Sequence, residues 1–192
     1  LSGMESSGGT VTYSATVLTD SAAAFTGIGT TSVTLHNVRA MPVRASGTIT
    51  SGDNQELADT TATFSGAGII RGEIVRTATK WAFIAGVEGD TKLRIEGWLD
   101  STTHQPTSPP TAATAYTVYG VYIGRTNSFT ATTITTDRWH DLNGTSQTPS
   151  AGTRYEVPRN RPNYPLHIEA TALRVTVRGN RFQRGWSDQC SI

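Results

Sequence analysis

Three stretches of this 192-residue chain share a layout that limits what it can fold into. Residues 81–100 read WAFIAGVEGDTKLRIEGWLD, residues 119–137 read YGVYIGRTNSFTATTITTD, and residues 164–182 read YPLHIEATALRVTVRGNRF. Each opens on an aromatic and reaches an isoleucine soon after (Ile84, Ile123, Ile168). Each then crosses a polar bend and enters a second alternating run: Leu93/Ile95, Phe129/Ala131/Thr133 and Val175/Val177. One such unit cannot bury its own apolar row. The layout therefore predicts stacked repeats in which each unit covers the open face of the next.

The rest of the chain alternates in the same way. Val11, Tyr13, Ala15 and Val17 are interleaved with polar residues, as are the apolar positions of SVTLHNV at residues 32–38, and a period of two is that of a half-buried strand. Helical spacing is scarce. Its nearest approach, residues 54–61, is bounded by Gly52 and by Thr60, Thr61 and Thr63, which favour extended chain. From Ala67 the alternation is dense, and strand starts near Ile69, Leu93, Thr117 and Pro165 recur at about 24 residues or a multiple of it, a spacing that suits one turn of a parallel β-helix or two strands of a sandwich. Gly97 after Ile95 and Gly179-Asn180 after Val177 supply residues that take tight corners. The expected fold is all-β, a right-handed parallel β-helix, with a β-sandwich or jelly roll as the alternative. The expected organisation is a flexible lead-in at 1–9, an N-terminal β segment or first coils at 10–66, and stacked β coils at 67–192 with long loops at 102–113 and 143–163.

Charge narrows the partners. With 16 basic and 15 acidic residues the net charge is +1, so no strong field points to nucleic acid or to an acidic membrane. Charged residues are 16% of the chain, below the usual quarter, and the abundance of Thr, Ser, Ala and Gly fits an extracellular or virion-type β surface. No run reaches the roughly 18 apolar residues that would insert in a bilayer. The lone Cys190 excludes an internal disulfide, and His36, His104, His140 and His167 are scattered without a ligand spacing. No metal and no cofactor are expected. No nucleophile elbow or phosphate loop is present, since Gly27-Ile28-Gly29 lacks a third glycine and a following helix.

The segments LRVTVRGNRF and GVYIGRTNSFT, with Asn or Gly at or just beyond an alternating apolar run, resemble coils of right-handed parallel β-helix proteins, the pectate-lyase-like group that includes bacteriophage tailspikes. The resemblance covers roughly residue 67 to the C-terminus and rests on coil texture. It implies a homotrimeric, elongated prism on the virion, attached to other virion proteins, whose outer grooves bind and often cleave bacterial surface polysaccharide.

Two short patterns carry the candidate chemistry. In Glu96-Gly97-Trp98-Leu99-Asp100, strand alternation projects Glu96, Trp98 and Asp100 together; in Asp137-Arg138-Trp139-His140-Asp141 it does the same for Asp137, Trp139 and Asp141. An indole flanked by carboxylates suits a sugar, whose C–H face stacks on the ring while acids handle hydroxyls or the glycosidic bond. Acids four residues apart on one strand are roughly 13 Å apart, too far for a glycosidase pair, whereas strands on adjacent coils are about 4.8 Å apart. If Ile95 stacks on Ile134, Asp137 falls beside Trp98 and Asp100. The catalytic candidates are therefore Asp100 with Asp137, and Glu96 in reserve. Trp98, Trp139, Arg138 and His140 are the glycan contacts. Packing, or binding without cleavage, is the competing role for the same residues. Arg154, Arg159, Arg161, Arg178, Arg181 and Arg184 form a basic cluster that either clamps acidic sugars or makes a solvated rim.

The expected function is that of a tailspike-like receptor-binding protein that recognises, with or without cleavage, a bacterial surface glycan. The alternative is a structural virion protein, a coat, decoration or protruding domain without catalysis. The two differ in geometry: a β-helix brings the strands of Glu96 and Asp137 within a few coils, whereas a sandwich leaves them on unrelated surfaces.

Overall fold

The computed structural model of the chain describes residues 3–6, 11–25 and 37–158, within one compact unit spanning residues 1–160. The strands are β1 (Gly3–Ser6), β2 (Val11–Ser14), β3 (Val17–Asp20), β4 (Asn37–Met41), β5 (Val43–Thr48), β6 (Ser51–Gly52), β7 (Glu56–Ala58), β8 (Ile74–Arg76), β9 (Lys80–Val87), β10 (Lys92–Ile95), β11 (Leu99–Asp100), β12 (Ala115–Tyr119), β13 (Tyr122–Phe129), β14 (Thr133–His140), β15 (Ser146–Gln147) and β16 (Arg154–Pro158). A 3-10 turn, Phe64–Gly66, lies between β7 and β8.

The fold is all-β, and every strand pairing among the described residues is antiparallel. The expectation of a parallel β-helix is corrected by this, because its coils stack through parallel ladders. Strands that follow one another through bends of a few residues pair antiparallel, whereas a parallel pair needs a crossover of a dozen residues or more. The first two recurring stretches are hairpins of this kind, β9–β10 and β13–β14. The third, from Tyr164, lies outside the described residues. The expected boundary at 66/67 falls inside the compact unit, and the expected loop at 143–163 contains β15 and β16, the latter paired on both sides by β1 and β4.

The described residues form two eight-stranded sheets. The first runs β1-β16-β4-β13-β14-β3-β2, with β15 on β14; the second runs β5-β12-β8-β9-β10-β7-β6, with β11 on β9. The seven strands of each path match one for one in chain order, so the second sheet is a topological copy of the first, inserted whole between β4 and β13. In both, the second and fifth connections are hairpins (β2–β3 and β13–β14 in the first, β6–β7 and β9–β10 in the second), and the last strand returns to lie beside the fourth in the manner of a Greek key. We call the first the host sheet and the second the inserted barrel. The barrel closes because β5 and β6 are pieces of one segment: Ile49 N–H still bonds to Thr114 O beside β12, and Thr50 N–H already bonds to Ala58 O of β7.

Local details repeat with the topology. Asp20 and Asp59 begin the same pattern, Asp-x-x-Ala-x-Phe, ending at Phe25 and Phe64. In each copy the aspartate accepts a buried tyrosine hydroxyl at 2.8 Å, from Tyr155 and Tyr116 respectively, and the phenylalanine packs on that tyrosine. Ala113 N–H donates to Ile49 O where Gly152 N–H donates to Val11 O. Both residues have positive φ, 66° for Ala113 and 78° for Gly152. A left-handed conformation suits glycine and strains alanine. Ala113→Gly is therefore expected to stabilise the chain by about 0.5–1 kcal/mol, read as a raised midpoint in urea.

Each copy has its own core. Leu57, Phe64, Val75, Ile84, Leu93, Trp98, Tyr116 and Val118 fill the barrel, while Leu18, Phe25, Val38, Ile134, Trp139 and Tyr155 fill the inner face of the host sheet. A third cluster joins them: Ile74, Trp81 and Tyr119 on the barrel's outer wall meet Met41, Ile123 and Leu142 of the host sheet. The two copies are also covalently continuous along a two-stranded ribbon, β4–β5 against β13–β12, broken only around Pro42 and Gly120. A Cβ at Gly120 would lie 2.7 Å from Arg44 Nε and 3.0 Å from Pro42 Cγ, so the crossing needs glycine.

Candidate functional site

The two tryptophan patterns occupy equivalent places in the two copies. Leu93 pairs with Leu57 as Ile134 pairs with Leu18, and Trp98 and Trp139 follow Leu93 and Ile134 at the same interval. Both indoles are 1% exposed. The expectation of sugar platforms is corrected: these rings are core side chains. Simple alternation would place each beside its flanking acids, but the burial of β14 runs Ile134, Thr136, Trp139, skipping two exposed positions at Asp137 and Arg138. In the barrel the same break falls at Glu96 and Gly97, with Gly97 at φ 112°. Each break turns the indole inward and leaves the acid outside.

The candidate acids do not meet. Asp100 belongs to β11 of the barrel, and Asp137 to β14 of the host sheet. Ile95 and Ile134 lie in different cores, so the stacking that would have joined them is absent. Asp100 Oδ1 accepts the N–H groups of Thr102 and Thr103, both at 2.8 Å. These bonds, Thr103 before Thr102, hold its carboxyl below the ordinary value. Asp137 Oδ1 accepts the Arg138 N–H at 2.6 Å and the Arg125 N–H at 3.2 Å. Glu96 is exposed and 3.8 Å from Arg71 Nη2. Arg138 is exposed, and His140 donates from Nδ1 to Asp141 O at 2.9 Å. Arg154 is the one member of the basic cluster among the described residues.

Aspartate has a common use throughout. Oδ1 of Asp20, Asp53, Asp59, Asp100 and Asp141 each accepts the N–H two residues ahead, from Ala22, Gln55, Thr61, Thr102 and Asn143. This bond makes the side chain close a turn in place of backbone. Of the acids that sequence suggested for catalysis, Asp100 is thus a turn-forming residue. The Asp-x-Thr, Asp-x-Ala and Asp-x-Asn spacing was the signal for it.

Asp20 and Asp59 are the most enclosed of them, 1% and 2% exposed, and Asp59 is the one in the barrel. Burial acts to raise its carboxyl, but the Thr61 hydroxyl and N–H, the Tyr116 hydroxyl and the Thr48 N–H outweigh it, and the group is held below its ordinary 3.8. A carboxyl with a folded value below its unfolded one contributes stability that is complete above the unfolded value and is lost as pH falls through the folded one. Thermal melts are expected to fall below about pH 4 in the wild type, and Asp59→Asn should be less stable at neutral pH with a shallower acid slope. Equal slopes would count against Asp59 as a source of the acid sensitivity.

An open depression of about 310 Å³ lies beside β8, β12 and β16. Arg76, Thr77, Thr117, Tyr119 and Arg154 line it, and among the described residues no carboxylate does. Arg76, Thr117 and Tyr119 are half-buried on the outer wall of the barrel, and Arg154 stands on the host sheet strand that pairs with Met41. Guanidinium groups, hydroxyls and one aromatic ring can hold an oxyanion and a flat apolar face; they offer no acid–base pair. Among the described residues no group of three or more His, Cys, Asp or Glu side chains is placed to hold a metal ion, and no helix is long and apolar enough to cross a membrane. No family model, curated protein or solved structure matches the chain.

Proposed function

We propose that this chain is a non-catalytic structural protein of a virion-type assembly, a coat, decoration or protruding domain, working outside the cell. The observation that carries the reading is the use of the aspartates: five close turns through the same bond, and the two candidate catalytic acids stand in separate sheets. The nested copies joined by a continuous ribbon supply a stiff building block, and the low share of charge leaves a Thr- and Ser-rich surface suited to packing against neighbours. The test is incubation of the chain with a panel of bacterial surface polysaccharides, followed by reducing-end release, alongside sedimentation to follow self-assembly. Assembly without product release is expected. Release that disappears in Asp100→Asn or Asp137→Asn would overturn the reading in favour of a cleaving tailspike.

The depression lined by Arg76, Tyr119 and Arg154 favours a second reading, host attachment by glycan binding without cleavage, in a homotrimer or another self-assembled form. Saturable polysaccharide binding by wild type, without product release, would support it.

A further inference from the structure

We propose that the outer face of β2, β3, β14 and β13 in the host sheet is a contact surface for a second copy of this chain, which packs the same face against it. The inference rests on the structural reading above and names the surface that carries it. The internal duplication supplies the argument, because each position on this face has a counterpart in the barrel. Thr133 stands across from Thr19 and Thr135 across from Val17, as Lys92 stands across from Ala58 and Arg94 across from Glu56. Thr12 extends the first row and Ser14 the second, in the places of Ser51 and Asp53. On the other side Ser128 lies beside Thr135, as Gly86 lies beside Arg94. Thr130 N–H donates to Thr133 O where Glu88 N–H donates to Lys92 O.

The two faces differ in charge. Of the eight barrel positions, five are charged: Asp53, Glu56, Glu88, Lys92 and Arg94. Lys92 pairs with Glu56 at 3.0 Å and Arg94 with Glu88 at 3.7 Å. In the host all eight are uncharged, seven hydroxyl side chains and Val17. The alternate residues Leu18 and Ile134 are buried in the core, so the eight point away from it; Thr12, Ser14 and Ser128 are exposed, and Val17, Thr19, Thr133 and Thr135 half-buried. The fold therefore accepts charge at these positions, and the host copy has none. Depletion of charge is what distinguishes the centre of a protein contact from ordinary surface. The exposed Arg125, Asp137 and Arg138 continue along β13 and β14 as a charged border. The occupant follows from the same chemistry. A charged face such as the barrel's would bury unpaired ions here, whereas a hydroxyl both donates and accepts, so a face of hydroxyls and methyls is satisfied by its own copy in an isologous contact. Four strands with two outward positions each cover about 200–300 Å². That is below the roughly 800 Å² per partner of a stable dimer, so a single contact is weak and association grows with concentration.

The decisive variant is Val17→Glu with Thr133→Lys, which copies the Glu56–Lys92 pair of the barrel into the host and leaves the net charge at +1. Sedimentation equilibrium of the full chain would be run from about 10 µM to 1 mM, a range suited to a contact of this size. The wild type is expected to show a mass that rises with concentration. The double variant is expected to associate at least about tenfold more weakly, because each copy then buries charges against hydroxyls or against like charges of its mate. Its melting temperature should stay within about 3 °C of wild type, as for an exposed pair. Should the double variant fail to fold, Thr135→Arg, which copies Arg94, decides the same question. A wild type that stays monomeric throughout, leaving the face to a different neutral partner, would overturn the proposal. So would association of equal strength in the folded variants, which would keep self-assembly but move it to another surface. Polysaccharide release that disappears in Asp100→Asn would sink the structural reading itself, whatever the sedimentation shows.

Discussion

Trp98→Ala is expected to destabilise the chain by about 3–5 kcal/mol, the cost of removing a large ring from a packed core. The indole is 1% exposed among Leu93, Ile95, Phe64 and Val118, and its Nε1–H donates to Asp53 O at 3.1 Å. The bond ties the end of β10 to the β6–β7 turn, so truncation opens a cavity and releases the turn together. In a chain of this size the loss corresponds to a fall in melting temperature of about 6–20 °C. Trp139→Ala should cost a similar amount in the equivalent place, where Tyr13 packs edge-on at 5.5 Å. A glycan platform would behave in the opposite way, with binding lost and the melt unchanged. Melts of the two alanine variants separate these outcomes directly. An unchanged melting temperature for Trp98→Ala would show that the ring is not part of the barrel core.

How much of this was legible follows from which physical signals are local. Alternation at Val11, Tyr13, Leu93 and Ile95 reports a half-buried strand wherever it occurs, so the all-β class could be read. The shared layout of the stretches from Trp81 and Tyr119 reports two equivalent hairpins, so the recurrence was also there to read. Pairing direction was not, because alternate burial is the same in either kind of ladder and only the lengths of the connections tell them apart. The duplication left short traces as well. Asp20 to Phe25 repeats at Asp59 to Phe64, and Pro149-Ser150-Ala151-Gly152-Thr153 repeats Pro110-Thr111-Ala112-Ala113-Thr114. Nesting hides them from any search for a fixed period: the host's β3 precedes its barrel counterpart β7, while the host's β14 follows its counterpart β10. The site went astray at two residues, where strict alternation carried past Glu96-Gly97 and Asp137-Arg138 put the indoles on the wrong face. The depression was beyond reach, since Arg76 and Arg154 meet only through the packing of two sheets.

Arg44→Met is expected to cost about 3–5 kcal/mol, because it leaves the Glu73 carboxylate buried without its cation. Glu73 has 0% side-chain exposure, and Arg44 Nη2 lies 2.9 Å from its Oε1. Arg44 Nε donates to the same oxygen at 3.2 Å, and Ile70 N–H donates to Oε2. The guanidinium also lies 5.3 Å from the centre of the Tyr122 ring and donates to its hydroxyl, so one side chain of the barrel holds a strand of the host sheet. Burial pushes the Glu73 carboxyl above its ordinary 4.5 even against Arg44. A carboxyl with a raised folded value binds its proton more tightly folded than unfolded, so its ionisation costs stability as pH rises from the unfolded value through the folded one. The ionised pair is thus a locator for the two copies more than a source of stability. It follows that Arg44→Met with Glu73→Leu should be far less damaging than Arg44→Met alone, and close to neutral at pH 7 if the pair's desolvation and attraction offset each other. Urea denaturation of wild type, both single variants and the double variant gives the coupling as a cycle. A double variant as unstable as the sum of its singles would mean that Arg44 and Glu73 act separately, and that the barrel is held to the host sheet by the ribbon and the apolar cluster around Trp81 without help from the ion pair.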